Sequence, residues 1–157
     1  MLSTREARID KKTKEYRFNI ELLAGRLLMI TDAMSQNEFT KSFKFGYFGS
    51  STGTAVAIKA AVKRPSRIIT IVSRSGRLDL LDSDSLMNLR SSILLMVGGN
   101  DLPVIDTSNK VMKKLNKAYS KKMILIPGAT HLFAEPGKIE QIGRIASGWL
   151  RDSLSGK

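Results

Sequence analysis

Four short apolar runs, each set apart by a helical pattern, constrain this chain more than any other feature. They fall at residues 45–48, 68–72, 93–97 and 123–126. The second reads Ile68-Ile69-Thr70-Ile71-Val72 and the third is apolar from Ile93 to Val97 without a polar interruption. A strand with one wet face alternates apolar and polar residues, whereas a continuous run marks a strand buried on both faces of a parallel sheet. The segments between the runs have helical spacing. Asn19 can cap a helix in which Leu23, Leu27, Ile30 and Met34 recur at intervals of four, three and four, the pattern of an amphipathic helix laid on a sheet. Residues 54–62 are rich in Ala and stop before Pro65, a lysine-rich helix is expected across 110–122, and another around 139–150. Strand and helix in alternation predict an α/β fold, a parallel sheet with flanking helices joined by right-handed crossovers. The length of 157 residues suits one domain, with 1–17 as a frayed or helical charged extension, and no repeat or linker marks a second.

In such a fold the chemistry gathers where strands end. The first run leads into Gly49-Ser50-Ser51-Thr52-Gly53, which matches G-x-S-x-G between a strand and a helix. There a serine sits on a strained turn with its hydroxyl beyond the sheet, at the N-terminus of the following helix. A glycine-rich turn whose Ser50, Ser51 or Thr52 merely caps the helix would look the same in sequence. Asp101 follows the third run and His131, the only histidine, follows the fourth. A serine hydroxyl is a poor nucleophile until an imidazole takes its proton, and the imidazole needs a carboxylate to fix its tautomer. Serine, acid and histidine therefore stand at three separate strand ends in the chain order of α/β-hydrolases.

The segments 46–53, 72–79, 97–101 and 127–133 together resemble α/β-hydrolases of the dienelactone-hydrolase-like group, and the resemblance runs from about Phe18 to Leu150. It implies Ser51 as nucleophile, Asp101 as acid, His131 as base, and a small-molecule ester, lactone or similar acyl substrate. Dienelactone hydrolases proper use a cysteine, so a serine here points away from that particular substrate. Some members are fused to a phosphoribosyltransferase domain, which is not expected within these residues.

One departure from the family matters. A complete hydrolase sheet has several strands before the nucleophile strand, and a loop after one of them gives an N–H to the oxyanion hole. Residues 1–44 read as helix and connection, so the chain is expected to form the C-terminal portion of the fold. The N–H of Thr52 would supply one oxyanion donor, and loss of the other would cost about 10²–10³ in rate. The strand at Phe45 would then be an unpaired edge, which invites self-association or a partner chain. A noncatalytic domain acting through that edge is the alternative to an enzyme.

The formal charge of +12 raises the question of nucleic acid. Basic residues outnumber acidic ones by 9 to 6 over residues 1–44, 7 to 3 over 45–100 and 10 to 5 over 101–157, so the excess is spread out. The densest piece, from Lys110 to Lys122, alternates lysines with Val111, Leu115, Ala118 and Tyr119 and reads as the wet face of a surface helix. Nucleic acid is therefore disfavoured. Arg74 and Arg77 follow the second strand and are candidates to hold an anionic substrate group, or else a solvated loop. Glu135 reads as a cap or surface acid before Pro136, and Met29, Met34 and Met96 as core filler. The absence of cysteine excludes disulfides, thiolate metal sites and a cysteine nucleophile, and no nucleotide or metal motif occurs, so no cofactor is expected. The charged start lacks the apolar stretch of a signal peptide and no run is long enough to span a bilayer, so a cytoplasmic protein is expected.

Overall fold

The computed structural model describes residues 2–155. Strands β1 (Phe45–Ser50), β2 (Ile68–Arg74), β3 (Ser92–Gly98) and β4 (Lys121–Ile126) form one parallel sheet in the order β1-β2-β3-β4. Helices α1 (Thr4–Thr13) and α2 (Ile20–Gln36) precede the sheet. Helix α3 (Thr52–Lys63) joins β1 to β2, α4 (Ser83–Asn88) lies between β2 and β3, α5 (Leu102–Lys114) joins β3 to β4, and α6 (Lys138–Ser155) follows β4. All strand ends that lead into helices therefore open on one edge of the sheet.

Alternation along the strands splits the core into two layers. Ile71, Ile93 and Leu95 pack with Ile58 of α3, Leu86 of α4 and Val111 of α5. Val72, Leu94 and Met96 face the other way, against Ile142 and Ala146 of α6. Both faces of β2 and β3 are dry, which is why their sequences are continuous apolar runs. Among the buried polar groups Thr70 is satisfied from α6, since Trp149 Nε1–H donates to its hydroxyl at 2.8 Å.

The helix ends carry their own signals. Ser3 and Glu6 form a reciprocal capping box at α1, and the Asn19 side chain accepts Leu22 N–H at α2 as expected. Helix α1 is thus a formed helix, its buried Asp10 accepting Tyr16 N–H and Arg17 N–H at 2.8 and 2.9 Å.

Three expectations are corrected. Helix α2 does not lay its Leu23, Leu27, Ile30, Met34 stripe on the sheet. It packs on α3 through Leu23, Ala24 and Leu28, against Val56 and Ala60, while Ile30 is 55% and Met34 40% exposed. The small side chains of α3 allow a close helix approach, and Thr31 turns inward to meet the Tyr47 hydroxyl at 2.7 Å, which rotates the predicted stripe partly off the core. Met29 is likewise exposed, and of the three methionines read as filler only Met96 is buried. The lysine-rich helix is also misplaced: α5 begins at Leu102 and ends at Lys114, and Lys121 and Lys122 already belong to β4. Its apolar face is real, with Val111 and Leu115 buried, but Tyr119 is 74% exposed.

Candidate active site

Each of the three residues picked out by type stands on a turn after a strand. Ser51 follows β1 directly, with φ 49° and ψ −120°, a conformation that costs a non-glycine residue about 1–3 kcal/mol. The turn is held from both sides: Ser51 N–H donates to Arg74 O at 3.0 Å, and Arg77 N–H donates to Ser51 O at 3.0 Å. Gly49 makes the turn possible, because a Cβ there would lie 2.6 Å from Thr54 Cα and 2.7 Å from Gly53 O. Beneath it the buried Thr54 hydroxyl bonds to Gly49 O and meets Ser73 Oγ, both at 3.0 Å.

Asp101 precedes α5 after β3, and His131 lies in the turn after β4. The two turns are stitched together by Gly99 N–H to Ile126 O at 2.8 Å and Asn100 N–H to Ala129 O at 2.9 Å. They meet so closely that a Cβ on Gly98 would lie 2.5 Å from Thr130 O.

Between these turns the side chains form a line. His131 Nδ1 is 2.7 Å from Asp101 Oδ2, and His131 Nε2 is 3.4 Å from Ser51 Oγ. A carboxylate only accepts, so Nδ1 carries a proton, and in the neutral ring the Nε2 lone pair is the one that faces the serine hydroxyl. Ser51 and Asp101 both occupy N-cap positions, yet neither side chain makes the capping bond. Ser50 is also engaged elsewhere, its hydroxyl accepting from Arg74 Nε at 2.9 Å. The simple reading of the turn as a helix cap is therefore not what the side chains do. The Thr52 N–H stands in the first turn of α3, where backbone donors have no intrahelical acceptor.

Two hollows flank the line. One, of about 380 Å³, is lined by Arg77, Asp79, Pro103, Val104, Thr107 and His131. Arg77 is gripped there by Asp79, through Nε at 2.8 Å and Nη2 at 2.7 Å, and lies 6.0 Å from the centre of the Phe18 ring. That ion pair holds the Asp79 carboxyl below its ordinary range and raises the Arg77 guanidinium. The other hollow, of about 390 Å³, is mainly apolar and runs along β1, with Gly46, Phe48, Thr52, Gly53, Leu27 and Arg17 among its walls. Arg74 is in neither wall; it is occupied with Ser50. Among the described residues no group of three or more acidic or histidine side chains is gathered to hold a metal. No helix among them is long and apolar enough to cross a membrane.

Glu135 is neither a cap nor a simple surface acid. Its Oε1 accepts Thr130 N–H at 2.9 Å, its Oε2 is buried without a hydrogen-bond partner, and the bond from Thr130 keeps its carboxyl below the ordinary range. Sequence reasoning missed this role, and the pairing of Arg77 with Asp79, because neither has a distinctive spacing.

A four-stranded parallel sheet flanked by helices, with its strand-end turns converging in this order, is the architecture of an α/β-hydrolase. A dienelactone hydrolase from Anabaena variabilis superimposes on 98% of the chain with a TM-score of 0.91 and 42% identity, the match covering 69% of that protein. On that relationship the chain belongs to the dienelactone-hydrolase-like α/β-hydrolases. A Pyrococcus furiosus esterase shares the fold at 14% identity and a TM-score of 0.68, over 82% of this chain and 60% of that one. A dienelactone hydrolase-like promiscuous phosphotriesterase from metagenomic libraries does so at 20% and 0.64, over 83% and 55%. Among curated proteins, a Mycobacterium tuberculosis protein described as a "putative phosphoribosyl transferase" is 37% identical over 147 residues, which is 94% of this chain. The chain spans about a third of the length of the curated relatives it matches. No protein-family model matches the sequence.

Proposed function

We propose that the chain is a serine hydrolase for a small ester, lactone or thioester. The observation that carries this reading is the unbroken line from Asp101 through His131 to Ser51, with contacts of 2.7 and 3.4 Å. The longer contact is of the kind that tightens when substrate is bound. Ser51 Oγ attacks the acyl carbon while its proton passes to His131 Nε2, and Asp101 stabilises the imidazolium through Nδ1–H. The carbonyl oxygen becomes an oxyanion facing the Thr52 N–H at the positive end of α3. Collapse expels the leaving oxygen or sulfur, which takes the proton back from His131. Water then repeats the sequence on the acyl-serine, releasing the acid and restoring the hydroxyl. Because His131 delivers the proton, the leaving group departs on the His131 side. The hollow holding Arg77, Asp79 and Thr107 lies there and would receive it, with Arg77 as a substrate-binding residue.

A fluorophosphonate probe tests the reading without knowledge of the substrate. The folded protein is expected to label at Ser51, and Ser51→Ala to lose the label. A folded sample that stays unlabelled would sink the enzyme reading.

A second reading rests on the outer edge of β1. Among the described residues no strand pairs with that edge, the strand Phe45–Ser50 carries no charge, and Phe48 is 52% exposed. Uncharged open edges lack the protection that keeps sheets apart. On this reading two copies pair through β1, and light scattering of wild type against Phe48→Lys tests it. A monomer at all concentrations would exclude the pairing.

A further inference from the structure

We infer that Glu135 is a positioning residue for the proposed reaction, fixing the direction of the His131 ring by anchoring the turn that carries it. The inference rests on the Ser51 hydrolase reading.

The turn leaves β4 at Ile126 and enters α6 at Lys138, with His131 near its middle. Its first half is bound to the end of β3 by the Gly99 and Asn100 N–H groups, as described above. Its second half is tied within itself and to the start of α6, where Lys138 N–H donates to Glu135 O at 3.1 Å. Phe133 N–H reaches Thr130 O at 3.3 Å, and the Glu135 carboxylate reaches back to accept Thr130 N–H at 2.9 Å. Glu135 thus closes a loop around His131, bonding to the residue just before it from four residues beyond. Phe133 inside that loop is fully buried and has φ 56°. A non-glycine residue stays in such a conformation only where its surroundings over-determine it. The buried ring supplies one constraint, and the Glu135 bond across the turn supplies the other.

The chemistry of Glu135 also fits an anchor better than filler. A buried oxygen without a partner is costly, and Oε2 is one. What the carboxylate gains in return comes mainly from Thr130, the residue just before His131, whose side chain and backbone N–H both favour the charged form, with a smaller share from the Glu135 backbone and Lys138. His131 has to hold two contacts at once, Asp101 on one nitrogen and Ser51 on the other, so a small rotation of the turn breaks the line. A misplacement of about 1 Å in such a group can cost on the order of 10²-fold in rate.

The test uses the full chain, the fluorophosphonate probe and the single histidine, whose ring proton gives one unambiguous NMR signal. Glu135→Ala removes the anchor; Glu135→Gln keeps an oxygen that can accept Thr130 N–H. Glu135→Ala is expected to lower the maximal labelling rate roughly ten- to hundredfold, with the probe's half-saturating concentration little changed, and to shift or broaden the His131 signal. Glu135→Gln is expected to stay within about threefold of wild type, since the acceptor is retained. Equal losses in both variants, or an Ala variant that labels normally with an unmoved His131 signal, would overturn the inference. If Glu135→Ala does not fold, the Gln variant decides: a wild-type signal and rate uphold it, and a collapse of both refutes it. Should wild type itself fail to label, the hydrolase reading falls, and the His131 signal still reports whether Glu135 sets the ring.

Discussion

The closest packing at the site predicts a sharp effect from a single methyl group. Gly98→Ala places a Cβ 2.5 Å from Thr130 O, 2.6 Å from Ala129 O and 2.9 Å from the Thr130 carbonyl carbon. Ordinary contact begins near 3.4 Å, so the turn must retreat by about 0.9 Å. All three obstacles are backbone, and no flexible side chain can move aside in their place. The Asn100 N–H to Ala129 O bond spans the same gap and stretches with the retreat. His131 follows Thr130 directly, so its Nε2 moves with the turn relative to Ser51, from a starting distance of 3.4 Å. Overpacking of this kind costs about 1–3 kcal/mol, or roughly 3–10 °C in melting temperature at this size. A displacement near 1 Å also predicts a loss of about 10²-fold in the rate of fluorophosphonate labelling. Gly143→Ala, on the exposed side of α6 away from the site, is the control, because nothing lies within 4 Å of its added Cβ and the helix gains up to about 1 kcal/mol. Thermal melts and labelling time courses on the two variants decide the matter. A Gly98→Ala protein that melts and labels as wild type does would refute the claim that contact between the two turns sets the site.

Three further outcomes follow from particular contacts. Asp101→Asn is expected to keep the fold, since the carboxylate is not used as a cap, and to lower hydrolysis of an activated ester by up to about 10⁴, read as initial rates. Thr70→Val leaves Trp149 Nε1–H without its acceptor and is expected to cost about 1–3 kcal/mol in urea melts, partly recovered in the double variant with Trp149→Phe. The Arg26 guanidinium, followed by the Ser3 N–H, holds the Glu6 carboxyl down at about 2 from its ordinary 4.5. A depressed carboxylate stabilises the fold above its unfolded value and loses that contribution as pH falls toward the folded one. Helix α1 is therefore expected to loosen between about pH 4.5 and 2, with equal amide protection of α1 at pH 5 and 2.5 as the contrary result.

What could be read from sequence follows from which physical signals are local. The strands were legible because burial on both faces leaves a continuous apolar run, as in Ile93 to Val97. The placement of Ser51, Asp101 and His131 after strands was legible for the same reason, since strand ends were known once the runs were. The orientation of α2 was not. Its stripe of Leu23, Leu27, Ile30 and Met34 has good helical period, but which side it buries depends on the small residues Val56 and Ala60 of another helix. The lysine-rich segment misled because apolar residues between lysines continue from α5 into the approach to β4, and the period alone marks no end at Lys114. Glu135 was opaque because its bond to Thr130 depends on a turn whose path the local sequence does not announce.

The two helix starts at the site give the strongest physical argument that the arrangement is more than a by-product of the fold. Ser and Asp are among the best N-cap residues, and a cap bond is typically worth about 1 kcal/mol. Helix α1 takes that bond from Ser3, α2 from Asn19 and α4 from Asp82. Helices α3 and α5 begin with equally capable residues, and both forgo it. Ser51 in addition holds a backbone conformation costing about 1–3 kcal/mol. A turn shaped only to start a helix would relax into the capped, unstrained form. Here the hydroxyl faces His131 instead, and the carboxylate is spent on the far side of the same ring. Stability is surrendered at two independent positions, and both losses serve one imidazole.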